Sequence, residues 1–366
     1  MSEEIIKQYE TEKPRYESLK NKCESLILDL LENRNIKYHK IESRIKEKES
    51  LEKKIKSESK EGKYSDLGNI TDIFGIRIIT YFEDDVDKVA DLLKKEFNFD
   101  VLNSVDKRWG SNPSVFGYAS LHQVLSVSDS RKSLTEYEYI KDLKFEVQIR
   151  SILQHAWAEI EHDIGYKNTI SVPIHLTRGF SRIAGLLELA DIEFKRIRDE
   201  LEDYTEEVKN KIIDEKYDLL IDSVTFKEFL LNSDTVNRIG LKLLHLVNSN
   251  AHVLYEDTPL ESTLDKLNFL KINSISQLDN LLNEKESDIV SFADAWFTKR
   301  DLKSKYENIN GVPIDISSFY LSLVLLAEKN DIDYSKKFIS SFLADSSDDV
   351  AEVSSDILSV YNSILK

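Results

Sequence analysis

Residues 143–150 read LKFEVQIR and alternate without a break: Phe145, Val147 and Ile149 fall on one side, Lys144, Glu146, Gln148 and Arg150 on the other. Successive side chains on a β-strand point to opposite faces, so this segment is a strand with one face for a core and one face that carries charge. The residues that follow, SILQHAWAEIEHDIGYK, read as a helix starting where the strand stops. Such a chain has to build a sheet and cover it with helices.

Other segments fit that requirement. ITDIFGIRIITYF, LHQVLSV and FDVLNSV read as strands, and EDDVDKVADLLKKEF reads as a helix with acids in its first turn and lysines near its end, the arrangement that suits the helix dipole. Residues 5–33 have helical periodicity, with Leu19, Cys23, Leu26, Ile27 and Leu30 on one side. DKRWGSNPSVFGYAS, punctuated by Gly110, Pro113 and Gly117, is a loop. From about residue 176 the pattern is helical to the end. The composition shifts near residue 200, which sets the expected domains at 1–200 and 201–366. The longest apolar run, around Phe319 to Ala327, is too short to span a bilayer and reads as a buried helix.

The formal net charge is −17, so the chain gains little from releasing counterions and is a poor generic binder of DNA, RNA or anionic membrane. The single cysteine, Cys23, excludes a disulfide framework and a cysteine-rich zinc module. The opening MSEEIIKQYE lacks an apolar signal segment, so the expected location is the cytoplasm.

Three features of the N-terminal half could carry chemistry. They are Asp72 at a strand start with Gly75 and Arg77 after it, the row Glu146, Gln148 and Arg150, and the charged segment with Arg44, Lys46, Ser50, Lys53 and Lys54. Two carboxylates from neighbouring strands can hold Mg²⁺ through oxygen, and nearby Arg and Lys can hold phosphates. Phosphoryl or pyrophosphoryl transfer needs that set: a metal, positioning cations and a base for the attacking hydroxyl. Singly, each feature has an ordinary explanation. Asp72 could be a turn residue, the polar row a solvated face, and the lysine-rich stretch a solvated helix.

Together the segments RIKEKESLEKK (44–54), DIFGIRII (72–79), GYASLH (117–122), EVQIRS (146–151) and WAEIEHDIGYK (157–167) resemble, in that order, the synthetase domain of the RelA/SpoT family of alarmone synthetases. The resemblance implies an α+β fold, with a nucleotidyltransferase-like mixed β-sheet of about five strands flanked by helices; the helical pattern beyond it, which matches no part of the family's long-type regulatory region, predicts an all-α C-terminal domain. It implies Mg²⁺-dependent transfer of the β,γ-pyrophosphate of ATP to the 3′-hydroxyl of GDP or GTP. By position, Arg44, Lys46, Ser50, Lys54 and Arg77 would contact ATP, and Asp72 and Glu146 would hold the metal, with Glu146 also a candidate base. Tyr118 would stack on the acceptor base, His122 would contact its phosphate or ribose, and Gln148 and Arg150 would support that sheet face. His162–Asp163 suggests a phosphohydrolase only superficially, since seven histidines do not supply the further ligands such a site needs. Trp157, Ile160 and Ile164 have core spacing, and Glu161 and His162 are given a structural role.

The departures fall on the acceptor side. Ser114 follows Pro113 and Ala119 follows Tyr118 where the family often places cations, so Lys107 and Arg108 are the substitutes. His155 stands where small synthetases often use Asn to read guanine. Transfer to the 3′ end of tRNA therefore stays open as an alternative, as does a catalytically inactive nucleotide sensor. Residues 201–366 are expected to form a regulatory or oligomerising helical domain, which leaves a homo-oligomer open.

Overall fold

The computed structural model describes residues 2–56, 64–108, 120–166, 174–247, 252–254, 260–300, 311–343 and 347–365. Helix α1 (Ser2–Asn33) comes first, its Ile5, Tyr9, Tyr16, Leu19, Cys23, Ile27 and Leu31 buried along one stripe. Then come β1 (Tyr38–Ile45), α2 (Lys48–Lys56), β2 (Phe74–Thr80), α3 (Glu83–Glu96), β3 (Phe97–Phe99), β4 (Val105–Asp106) and β5 (Leu121–Val127). A short α4 (Asp129–Lys132), β6 (Lys144–Ser151), α5 (Ile152–Tyr166) and α6 (Ile174–Ile213) follow.

The strands form a mixed sheet in the order β1-β2-β6-β5-β3, with β4 also paired to β5. β2 and β6 run parallel, and the other pairs are antiparallel. The alternation seen in the sequence decides which face is inside. Phe74, Ile76 and Ile78 of β2, Phe145, Val147 and Ile149 of β6, and Leu121, Leu125 and Val127 of β5 are buried with the stripe of α1 and with Val86, Val89 and Leu93 of α3. Each such side chain contributes about 1.5–3 kcal/mol on burial. Phe145 is the hub, stacked on Phe74 at 5.3 Å and edge-on to Phe97 at 5.6 Å.

Two expectations need correction. FDVLNSV is not one strand: Asp100 Oδ1 accepts from the backbone N–H groups of Leu102 and Asn103 at 3.2 Å each, which bends the chain into a turn with Val101 and Leu102 exposed. Strand β1 comes from a stretch that reads as merely charged.

The chain divides into two units, Met1–Asp199 and Glu200–Lys366, each with its own core. The second is helical, built from α7 (Ser223–Asn232), α8 (Asp234–Val247), α9 (Glu261–Phe269), α10 (Ile275–Glu284), α11 (Glu286–Lys299), α12 (Ile316–Lys329), α13 (Ile332–Phe342) and α14 (Ser347–Ile364). A three-residue parallel pair, β7 (His252–Leu254) with β8 (Gly311–Pro313), is added to it, a feature the sequence did not announce. Tyr320, Leu321, Leu323, Val324, Leu326 and Ala327 of α12 are buried in this unit's own core, as the apolar run required. No described helix is long and apolar enough to cross a membrane.

Candidate active site

The polar half of the alternation lies on the sheet's other face, and strand register sorts it into rows. Arg44, Gly75 and Glu146 are aligned across β1, β2 and β6, and the next row holds Glu42, Arg77, Gln148 and, on β5, His122. A third row adds Ile79 and Arg150. Gly75 has no side chain to fill the space between Arg44 and Glu146. A cleft of about 140 Å³ opens there, lined by Glu42, Ser43, Arg44, Lys46, Asp72, Gly75, Ile76, Arg77, Glu146 and Gln148.

Asp72 stands in the turn just before β2. Lys46 is brought to it by its backbone N–H, which donates to the carbonyl of Ile73 at 2.7 Å, while the Tyr9 hydroxyl of α1 donates to the Lys46 carbonyl at 2.7 Å. The ammonium groups of Lys46 and Lys54 lie 3.1 and 2.6 Å from the two Asp72 oxygens. Burial alone would raise the Asp72 carboxyl, but the two lysines outweigh it and hold the group below the usual carboxylate range. Arg44, exposed at the rim, lines the cleft and has no ion-pair partner among the described residues.

Glu146 is set by its neighbours. His122 Nδ1 is 2.7 Å from its Oε1, Gln148 Nε2 donates to Oε2 at 3.3 Å, and the far nitrogen of His122 is 2.7 Å from Ser120 Oγ. Burial pushes Glu146 upward and Asp72 adds to that push, yet the His122 contact prevails and leaves it lowered. The repulsion between the two carboxylates is itself a sign that they share one site. Among the described residues no three or more His, Cys, Asp or Glu side chains converge as a self-sufficient metal centre. Two carboxylates in one cleft do fit Mg²⁺, which typically takes one or two and completes its shell with water and substrate phosphates.

Helix α5 follows β6 directly and brings His155 and Glu159 over the rows. Glu159 accepts from Arg77 Nη1 at 3.0 Å, and Arg77 also donates to Glu42 at 3.3 Å. Burial lowers the His155 imidazole, and Arg150 and Arg77 lower it further.

Asp72, Glu146, Arg44, Lys46, Lys54, Arg77, Gln148 and His122 are thus gathered at or beside the cleft, with Arg150 and His155 next to them. Ser50 is exposed on α2 and does not line it. Arg108 is held elsewhere. Its guanidinium bonds Asp106 at 2.8 Å and Asp87 of α3 at 2.7 Å. Asp106 is paired with Leu121 of the core face, so Arg108 is turned to the α3 side of the sheet. Lys107 is exposed and outside the cleft. Tyr118, Gly117, Pro113, Ser114 and Ala119 lie outside the described residues. On α5, Trp157 and Ala158 are buried as core, but Ile160 is 56% exposed, contrary to its spacing, and the side chain of Ile164 lies outside the description. Glu161 and His162 are exposed. The sequence reading missed Glu42, Ser120 and Glu159. The last could have been found from its place one helical turn after His155.

The pattern described as a region found in RelA / SpoT proteins matches residues 43–171. The chain is 30% identical over 161 residues to GTP pyrophosphokinase YwaC of Bacillus subtilis (strain 168), spanning 44% of this chain and 73% of that protein. It is 28% identical over 138 residues to GTP pyrophosphokinase YjbM of the same strain, spanning 38% of this chain and 62% of that protein. Among solved structures, small alarmone synthetase 1 from Bacillus subtilis is similar at 23% identity and a TM-score of 0.45, over 54% of this chain and 98% of that one.

Proposed function

The chain belongs to the RelA/SpoT family, and on that premise we propose that it transfers the β,γ-pyrophosphate of ATP to the 3′-hydroxyl of GDP or GTP. The observation that carries this reading is the meeting of Asp72 and Glu146 in one cleft with Arg44, Lys46, Lys54 and Arg77 around them. Lys46, Lys54, Arg44 and Arg77 bind the donor phosphates. Glu146, ionised and steered by His122, accepts the proton of the 3′-hydroxyl as it attacks the β-phosphorus, and AMP leaves. Asp72 and Glu146 would hold Mg²⁺, which when bound draws charge off the phosphate oxygens. Gln148 and Arg150 brace the sheet face, and Tyr118, His122 and His155 take the acceptor, with Lys107 the loop cation that no ion pair among the described residues holds elsewhere.

The test is an acceptor screen: purified chain, Mg²⁺ and ATP labelled in its γ-phosphate, with GDP, GTP or deacylated tRNA. Label on a guanine nucleotide is expected. Label only on tRNA overturns this acceptor in favour of the toxin-type reaction, and no transfer to any of them favours a nucleotide sensor. Residues 201–366 are read as a regulatory or oligomerising domain. A chain truncated near residue 200 with unchanged turnover and unchanged assembly state would refute that role.

A further inference from the structure

One oxygen beside the cleft has three nitrogen-bearing neighbours. Glu159 Oε1 lies 3.0 Å from Arg77 Nη1, 3.5 Å from Arg150 Nη2 and 3.7 Å from His155 Nδ1. The three come from β2, β6 and α5. Their exposures are unequal: the Arg150 side chain is 1% exposed and that of Glu159 54%. The carboxylate at the meeting point is the member of the group most open to water. Two nitrogens, Arg77 Nε and His155 Nδ1, are buried with no hydrogen-bond partner among the described residues. Two arginines and an imidazole converging on one oxygen make the grip that proteins use on phosphate, and a carboxylate edge is the nearest thing to it that a side chain offers.

The geometry points to a phosphate seat formed by Arg77, Arg150 and His155, which Glu159 fills from within the chain and yields when a phosphate group of a nucleotide enters. The seat presupposes that the cleft takes a nucleotide's phosphates, as proposed above. Glu159 is then a competitor for its own site. Removing its charge strengthens anion binding. If Glu159 served only to position Arg77, the sign would be reversed, because an unpinned arginine binds less well.

Calorimetric titration with inorganic pyrophosphate distinguishes the two. Glu159→Gln is close to isosteric on a half-exposed helix position, so the fold is retained, and a thermal melt checks this. Glu161→Gln removes the same charge from an exposed site on the same helix and controls for long-range electrostatics. Expected is pyrophosphate affinity about tenfold tighter in Glu159→Gln and changed by less than about twofold in Glu161→Gln. Equal or weaker affinity in Glu159→Gln, or an equal gain in both variants, overturns the seat. Because this readout needs no turnover, the gain without any transfer in the acceptor screen would sink the proposed reaction and keep the seat. Transfer without the gain would do the opposite.

Discussion

His122 and Glu146 meet diagonally: His122 lies opposite Gln148 on β6, and its ring reaches two residues along the strand to bond Glu146 Oε1 at 2.7 Å. A carboxylate only accepts, so Nδ1 donates, and Nε2 can accept from Ser120 Oγ at 2.7 Å. That contact holds the Glu146 carboxyl below its usual range despite burial. Glu146→Gln should keep ATP binding and lose turnover by roughly three or more orders of magnitude, the scale of losing a base and a metal ligand together. Equilibrium binding alongside single-turnover rates checks both halves. Substantial residual turnover would assign the base elsewhere.

Gly75 gives a second prediction. A Cβ there would meet the Glu146 carbonyl at 4.0 Å, an ordinary contact, so the strand accepts a side chain. The methyl groups of Gly75→Val would project between Arg44 and Glu146. ATP affinity should fall more than about tenfold while Tm moves by less than about 3 °C, since Val favours strands. Unchanged affinity in a binding titration would mean that the nucleotide lies elsewhere.

Asp191 is a stability probe away from the cleft. It is buried on α6 and accepts from Ser151 Oγ at 2.6 Å. Burial raises its carboxyl above the usual value, and the Ser151 bond only partly offsets this. A carboxyl whose folded pKa exceeds its unfolded one lends stability that is complete below the unfolded value and lost as pH rises through the folded one. Asp191→Asn should therefore raise Tm at pH 7 by about 2–4 °C, near 1 kcal/mol. The two melting curves should converge as the pH is lowered to about 4. A variant less stable than wild type at neutral pH would contradict the sign.

Cys23 is fully buried in α1, and burial pushes its thiol up to about 12. A disulfide reagent at pH 8 should leave the native chain unlabelled and react fully in denaturant. Since an unfolded thiol titrates near about 8.5, the fold loses stability as pH rises above that value. Rapid native labelling would show that α1 opens locally.

The strand at 143–150 was legible because one side of it is purely apolar. Strand β1 was not, because Lys40, Glu42 and Arg44 on its cleft side swamp the signal of Ile41 and Ile45, which pack on the core. The residues that equip the site are the ones that hide the element carrying them. Asp72 and Glu146 were readable singly, but their convergence depends on the β2–β6 pairing, and pairing is a long-range property. The partners of Arg108 were not legible, because nothing local says that Asp87, twenty-one residues earlier, will bond it. Ile160 followed helical spacing, but Trp157 and Ala158 had already filled the inner face of α5.

The alignment of Arg44, Gly75 and Glu146 makes chemistry a proofreader of folding. Were β6 to slide by one residue against β2, Glu146 and Gln148 would turn inward among phenylalanines while Val147 faced the water. A misthreaded molecule would be both unstable and inert, so any selection for turnover also selects against that misfold.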